Sequence, residues 1–151
     1  MKAFFLFILL LLLKMNVFAC TCIGTGTVKN SRKYANLVVL GTIKDSTVFS
    51  VPYAGTSIIV DKIKYLFEVE YLYKGKSKKK MIEIITGTGT SDCGYIFELN
   101  KRYIVYLYTE DRFYGKGQKV KPFLSTNICT RTREEDAEEI RQLKRRGLFG
   151  R

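Results

Sequence analysis

The sequence Ala19-Cys20-Thr21-Cys22 separates an apolar leader from the rest of the chain. The leader has a basic second residue and an apolar run over residues 3–13. A basic start, an apolar core of about 7–15 residues and a small residue at the cut are typical of a secretory signal peptide. The run is shorter than the roughly 20 residues of a membrane-spanning helix. We therefore expect cleavage after Ala19, which would make Cys20 the first residue of the mature protein.

Removal of this signal peptide, residues 1–19, reduces the chain from 151 to 132 residues. That length suits a single domain with its own core, residues 20–151. Lys2 and Lys14 leave with the leader, so the formal charge falls from +12 to +10. This charge favours an anionic surface such as glycan or lipid headgroups, and the alternative is that it only keeps an exported protein soluble. We expect a monomer with no nucleic-acid partner and no transmembrane segment in the mature chain.

The chain has no histidine. This excludes Ser-His-Asp and Cys-His catalytic sets and removes the commonest zinc ligand. The sequence also lacks a phosphate-binding loop motif, and Gly87-Thr88-Gly89 is a lone G-x-G that indicates a turn. We therefore expect neither an enzyme nor a cofactor.

The four cysteines are Cys20, Cys22, Cys93 and Cys129. An even count in an exported domain suggests two disulfides. The first two lie too close together to be partners, so one would bond to Cys93 and the other to Cys129, with both arrangements open. Each bridge would close a loop of about 70–110 residues and stabilise the fold by roughly 4–5 kcal/mol. The alternative, a four-thiolate zinc site, would need a second close pair of cysteines.

A second alternative concerns Cys20 itself. Residues 17–20 resemble a bacterial lipoprotein signal, in which the cysteine after the cut is lipidated. Acylation would consume the thiol of Cys20 and leave three cysteines, one of them without a partner.

Apolar and β-branched patterns predict five strands. They cover residues 37–43, 58–73, 81–86, 103–108 and 123–126. Residues 45–57 contain Pro52 and Gly55 and indicate a hairpin or loop, and residues 87–101 and 109–121 indicate loops. A short helix over residues 28–35 would turn Tyr34 and Ala35 inward.

A second helix is predicted near the carboxyl terminus. Thr132-Arg133-Glu134-Glu135 has the form of a capping box, and Gly147 can end the helix. Its apolar stripe consists of Ala137, Ile140 and Leu143. The fold class is therefore mainly β: a five-stranded OB-fold-like barrel with a short N-terminal helix and a C-terminal α-helix packed on it.

Several motifs occur in a fixed order along the chain. They are Cys20-Thr21-Cys22, Val38-Val39-Leu40-Gly41-Thr42-Ile43, Tyr73-Lys74-Gly75, Cys93-Gly94-Tyr95-Ile96-Phe97, Tyr103-Ile104-Val105-Tyr106 and Leu124-Ser125-Thr126-Asn127-Ile128-Cys129-Thr130-Arg131-Thr132. This set resembles the netrin-like domain of the tissue inhibitors of metalloproteinases, most closely their short bacterial relatives. The resemblance covers most of residues 20–143 and implies an OB-fold barrel with the bridges Cys20–Cys93 and Cys22–Cys129.

The resemblance also implies an inhibitory wedge, formed here by Cys20, Thr21, Cys22, Ser91 and Asp92. In the animal inhibitors, the amino group and carbonyl of the first cysteine chelate the zinc of a metalloproteinase. Carried over, Cys20 would be the metal ligand, Thr21 would point into the enzyme's specificity pocket, and Ser91 and Asp92 would line the contact ridge. The zinc would belong to the partner protease.

The chain also departs from the animal inhibitors. Gly24 stands where they usually have proline, and their third disulfide and second domain are missing. Three hypotheses follow for an extracellular or periplasmic protein. The first is an inhibitor of zinc metalloproteinases, the second a basic binding module for anionic glycan, lipid or protein, and the third a lipid-anchored envelope protein without inhibitory activity.

Overall fold

A computed structural model describes residues 20, 22, 26–54, 56–89, 92–114 and 117–148. The predicted signal peptide, residues 1–19, lies outside these ranges. Within them the chain forms two helices and six strands. They are α1 (Val28–Tyr34), β1 (Leu37–Pro52), β2 (Ile59–Lys74), β3 (Met81–Gly87), β4 (Arg102–Glu110), β5 (Phe123–Ser125), β6 (Arg133–Glu134) and α2 (Ala137–Leu148).

Five of the strands close into a ring in the order β1-β2-β3-β5-β4, with β1 and β4 joining its ends. All neighbouring strands are antiparallel except β3 and β5, which are parallel. The short strand β6 adds to the other side of β4. The predicted fold class is confirmed: the domain is mainly β, with a closed five-strand ring that resembles an OB-fold, a short N-terminal helix and a C-terminal helix.

Strand β1 bends so that its first half pairs with both β2 and β4. A register shift lies between Leu40 and Gly41. A side chain at Gly41 would place its Cβ 1.9 Å from the carbonyl oxygen of Glu68, so the close approach of the two strands requires glycine here. After the bend, β1 leaves β4 and stays paired with β2. The ends of these two strands, residues 50–52 and 59–61, extend beyond β3 as a two-stranded arm.

The prediction for residues 45–57 needs one correction. The interpretation of residues 45–57 as a hairpin or loop is right about the hairpin, but β1 continues to Pro52 and the turn is confined to residues 53–58. The strand persists because Val48, Phe49 and Val51 stay in register with β2, opposite Ile63, Lys62 and Val60. The proline at the strand end does not interrupt this pairing, since a proline is tolerated at an edge.

The core has two parts, on opposite faces of the same strands. Inside the ring lie residues such as Val39, Phe67 and Val105, all fully buried. Between the ring and the helices lie Val38, Leu40, Ile104 and Tyr106, against Val28 of α1 and Leu143 of α2. Because both faces of β1 and β4 are covered, these strands are continuously apolar instead of alternating.

The predicted orientation of α1 is half right. Ala35 is buried, with 1% of its surface exposed, whereas Tyr34 is 67% exposed and does not turn inward. Val28 is the buried residue of the helix itself. At the 3.6-residue period, Val28 and Ala35 are two turns apart and share one face, and Tyr34 lies about 100° away from that face.

The predicted capping box is wrong. Residues Arg133 and Glu134 form β6, and the hydroxyl of Thr132 accepts a hydrogen bond from the backbone N–H of Tyr106, at 3.0 Å. Helix α2 begins at Ala137, and the carboxylate of Asp136 accepts from the backbone N–H of Glu139 at 2.7 Å. Thr132 is held by a tertiary hydrogen bond, and Asp136 caps the helix instead.

The apolar stripe of α2 is partly as predicted. Ile140 and Leu143 pack in the core beneath the helix, whereas Ala137 is exposed. The helix also passes through Gly147 and ends at Leu148, so Gly147 does not end it as predicted.

Candidate functional site

Two disulfides fasten Cys20 and Cys22 to the rest of the fold. Cys20 is bonded to Cys93 and Cys22 to Cys129, which are the pairs implied by the resemblance. No free cysteine remains in the part of the chain that the structure describes. Two disulfides indicate an oxidising, extracytoplasmic environment.

The two bridges meet at one place on the ring. Cys93 lies in the loop that follows β3, and Cys129 lies in the turn that follows β5. The backbone N–H of Ile128 donates to the carbonyl of Cys93 at 3.0 Å, which joins the loop to the turn. Cys20 and Cys22 are therefore anchored to two joined segments, the loop at Cys93 and the turn at Cys129, which we call the ridge.

The loop after β3 is packed closely against the end of the strand. A side chain at Gly94 would place its Cβ 2.1 Å from the carbonyl oxygen of Gly87, and Cys93 has a φ of 55°. A non-glycine residue with positive φ is uncommon and is held in place by its surroundings. Here the surroundings are the bridge to Cys20 on one side and the bond from Ile128 on the other.

Asp92 precedes Cys93, and its carboxylate turns into the domain. It lies 3.1 Å from the ammonium of Lys62 and accepts a backbone hydrogen bond from Gly89, also at 3.1 Å. The side chains of Lys62 and Asp92 are only 10% and 14% exposed. Burial raises the pKa of the Asp92 carboxyl, but the bond and charge of Lys62 and the N–H groups of Gly89 and Thr88 outweigh it, so the pKa lies below its ordinary value.

An aromatic wall borders this ridge, and it was not predicted from the sequence. Tyr53, at the tip of the β1–β2 arm, meets Tyr114 edge to face at 4.6 Å between ring centroids. The ammonium of Lys62 lies 4.4 Å from the centroid of Tyr114. A cavity of about 540 Å³ lies between the two tyrosines, Asp92 and Cys93. The sequence did offer one indication of this wall, since each of two polar loops contains a tyrosine. Binding residues are concentrated in the loops of a folded scaffold, so these two tyrosines were candidates.

Of the predicted wedge, the structure brings together Cys20, Cys22 and Asp92. Thr21 and Ser91 lie outside the described residues, as does Gly24. Both described cysteines are half-buried. The carboxylate of Asp92 is paired with Lys62, so the charge of Asp92 holds the loop against the strand that carries Lys62.

A second network holds the segment that follows Cys22. Arg131 donates to the carbonyl of Gly26 at 2.9 Å and pairs with the fully buried carboxylate of Glu139 at 2.8 Å. The hydroxyl of Tyr106 donates to the same carboxylate at 2.7 Å. Burial raises the pKa of Tyr106, and the neighbouring Glu139 raises it further. The N-terminal segment is thus tied to both the ring and α2.

Among the described residues, no three acidic or cysteine side chains are grouped so that they could hold a metal ion. Within the same ranges, no helix has the length and apolar character needed to cross a membrane. No family model matches the chain, and no curated protein matches it.

Proposed function

We propose that this chain is an extracytoplasmic inhibitor of zinc metalloproteinases that acts through the N-terminus of its mature form. The observation that carries the proposal is the pair of bridges, Cys20–Cys93 and Cys22–Cys129, which end in two loops joined by a backbone hydrogen bond. Cleavage after Ala19 would leave the amino group of Cys20 on that ridge. A ligand fixed in this way loses little conformational freedom on binding.

The chemistry requires two atoms of Cys20, the amino nitrogen and the carbonyl oxygen. The zinc of a metalloproteinase keeps one coordination position open to water or substrate and can accept a fifth ligand, so the amine and the carbonyl could both bind it. The amine must be neutral to bind, and an ordinary α-amino group has a pKa near 8. Thr21 would enter the specificity pocket, and Ser91 and Asp92 would line the contact. The aromatic wall of Tyr53 and Tyr114 extends this surface.

The first measurement is the intact mass of the protein from its native host, under non-reducing conditions with thiol alkylation. A mass equal to residues 20–151 less four hydrogens, without alkylation, is the expected result. It would establish a free amine on Cys20 and two bridges. A lipid-sized increment or a free thiol would contradict the proposal, because either one removes the wedge.

The decisive assay compares this protein with a variant that carries one extra alanine before Cys20. Both keep the same bridges, but the extension moves the amine away from the zinc. We expect inhibition of a panel of zinc metalloproteinases to weaken about 100-fold or more, a loss of about 3 kcal/mol in binding. Equal inhibition by both proteins, or none by either across the panel, would refute the mechanism.

A lipid-anchored envelope form is the competing proposal for Cys20. Acylation occupies the same sulfur that bonds to Cys93, so lipidation and this bridge exclude each other. The bridge therefore favours a free protein in the periplasm or outside the cell. The basic binding module is compatible with either anchoring state, because it does not use the N-terminus.

A further inference from the structure

The ring has a short seam, where β3 and β5 pair over only a few residues. β3 starts at Met81, but it pairs with β5 only through Ile84 and Ile85. Beside the start of β3, which pairs with β2 but not with β5, lies a cleft of about 670 Å³. Its floor consists of core residues, among them Leu37, Ile82 and Leu124. The cleft therefore ends on the outer edge of the barrel core, where Leu37 and Ile82 are each 6% exposed.

The mouth of the cleft is positively charged. Lys76 and Lys79 reach it from the β2–β3 loop, and Lys121 reaches it from the segment before β5. None of these three exposed lysines has a carboxylate partner among the residues that the structure describes. The acidic residue at the cleft, Glu83, pairs with Lys64 at 3.3 Å. The mouth thus carries a local surplus of cationic donors.

We propose that this cleft binds a single-chain lipid with an anionic head group, such as a long-chain fatty acid. The apolar floor would take the hydrocarbon chain, and the three lysines would hold the carboxylate. Ligand pockets are commonly of about 300–1,000 Å³, and the cleft falls within this range. Its lining is apolar at the floor and polar at the mouth, which matches a ligand with one apolar and one charged end. Charge-assisted hydrogen bonds from ammonium groups are among the stronger contacts available to a carboxylate.

The two halves of the cleft together select this class of ligand. A small inorganic anion would leave the exposed or half-buried side chains of Met81, Phe123 and Leu124 in contact with water, and a neutral alkyl chain would leave the lysines unused. The cleft shares no lining residue with the cavity beside Cys93. Lipid binding is therefore independent of the proposed zinc-directed wedge, and either property can fail without the other.

The test is a calorimetric titration of the disulfide-bonded protein with monomeric palmitate. Hexadecanol serves as the neutral analogue and acetate as the head group alone. We expect palmitate to bind, hexadecanol to bind about tenfold more weakly or worse, and acetate to give no signal. The double variant Lys79→Gln/Lys121→Gln should weaken palmitate binding by about tenfold or more.

The matched control is Lys29→Gln/Lys144→Gln, which removes the same charge at exposed positions outside the cleft. It should change palmitate affinity less than about twofold, since exposed charges at a distance are screened by salt. Ser77→Trp, which fills the mouth from its rim, should abolish binding while thermal unfolding shows that the fold is retained.

Three outcomes would overturn the proposal. Palmitate could fail to bind the unaltered protein. The two double variants could lose affinity equally, which would indicate a general charge effect. The protein could bind anionic phospholipid vesicles but not monomeric palmitate, which would indicate contact with a membrane surface instead of a lipid in the cleft.

Discussion

At the residue scale, the ion pair of Lys62 and Asp92 is the interaction on which the ridge depends. It is nearly buried and lies directly before Cys93. Removing one member of a buried pair leaves the other charge without compensation, which typically costs about 3–5 kcal/mol. We expect Asp92→Asn to lower the free energy of unfolding by about 2–4 kcal/mol, because the amide keeps part of the hydrogen bonding. Urea unfolding at pH 7 measures this loss.

The matched control is Lys44→Met, which breaks the exposed pair of Lys44 and Glu68. Exposed pairs contribute about 0–1 kcal/mol, so this variant should stay close to the unaltered protein. The double variant Lys62→Met/Asp92→Asn should recover part of the loss, since neither charge is then left alone. A loss below about 1 kcal/mol for Asp92→Asn would show that the pair does not support the loop.

The lowered pKa of Asp92 gives a pH dependence with a definite sign. A carboxyl with a depressed pKa in the folded state adds stability that is present above its unfolded pKa and is lost as pH falls through the folded value. The ordinary value here is 3.8. The stability gap between the unaltered protein and Asp92→Asn should therefore be constant above about pH 5 and should narrow below pH 3.8. Urea unfolding at pH 7, 5, 3.5 and 2.5 measures it, and a gap that widens on acidification would contradict the assignment.

At the element scale, the start of α2 shows where the sequence misled and why. Asp136 is the observed cap, through its bond to the N–H of Glu139. We expect Asp136→Ala to destabilise the protein by about 0.5–2 kcal/mol and Asp136→Asn to have little effect, because asparagine is an equally good cap. Hydrogen exchange should accelerate at the amides of Glu138 to Ile140 in the alanine variant.

Glu135→Ala is the informative comparison for this cap. Glu135 would be part of the predicted capping box, but it pairs on the surface with Arg102 at 2.6 Å. The variant should leave exchange in the first turn of α2 unchanged. If amide exchange in the first turn of α2 were faster in Glu135→Ala than in Asp136→Ala, the capping box would be supported and Asp136 would not be the main cap.

The strands were predictable because their apolar runs are dictated by burial on both faces. Val38 and Val39 face opposite parts of the core, so both are apolar. The strand can therefore be recognised in the sequence as a continuous apolar run. The fate of Thr132 was not predictable, because its partner, the N–H of Tyr106, is 26 residues away and reaches it only after the ring closes. Local patterns identify elements, whereas tertiary hydrogen bonds decide where an element begins.

The candidate site, too, could be predicted only in part. The cysteines are recognisable from their spacing and from the leader that precedes them. The contributions of Lys62 and Tyr114 are not, since one lies in a strand and the other in a loop 52 residues later, and only the closed ring places the ammonium 4.4 Å from the aromatic ring. The lysines of the β2–β3 loop form a basic run in the sequence, but only the fold places the apolar residues of the cleft beside them.

At the scale of the whole molecule, the N-terminal segment closes two long loops of the chain. The bridges join residues 73 and 107 positions apart, and Arg131 adds a bond to Gly26. The segment therefore links the loop after β3, the turn after β5 and α2. The proposed wedge and the proposed lipid cleft draw on different residues of the same ring, so a ligand in one leaves the other free.

The two bridges give the last prediction. On the chain-entropy account, a loop of about 100 residues contributes about 4.7 kcal/mol, and the dependence on length is logarithmic. Cys20→Ser/Cys93→Ser and Cys22→Ser/Cys129→Ser should therefore destabilise the protein by about 4–5 kcal/mol each, and by amounts that differ by only about 0.3 kcal/mol. Urea unfolding measures both losses. The first variant should also lose metalloproteinase inhibition even where it stays folded, because the amine of residue 20 is retained but no longer held on the ridge. Full inhibition by that folded variant would show that the bridge to Cys93 serves stability alone, and a loss below about 1 kcal/mol in either variant would show that the bridges do not stabilise the ring.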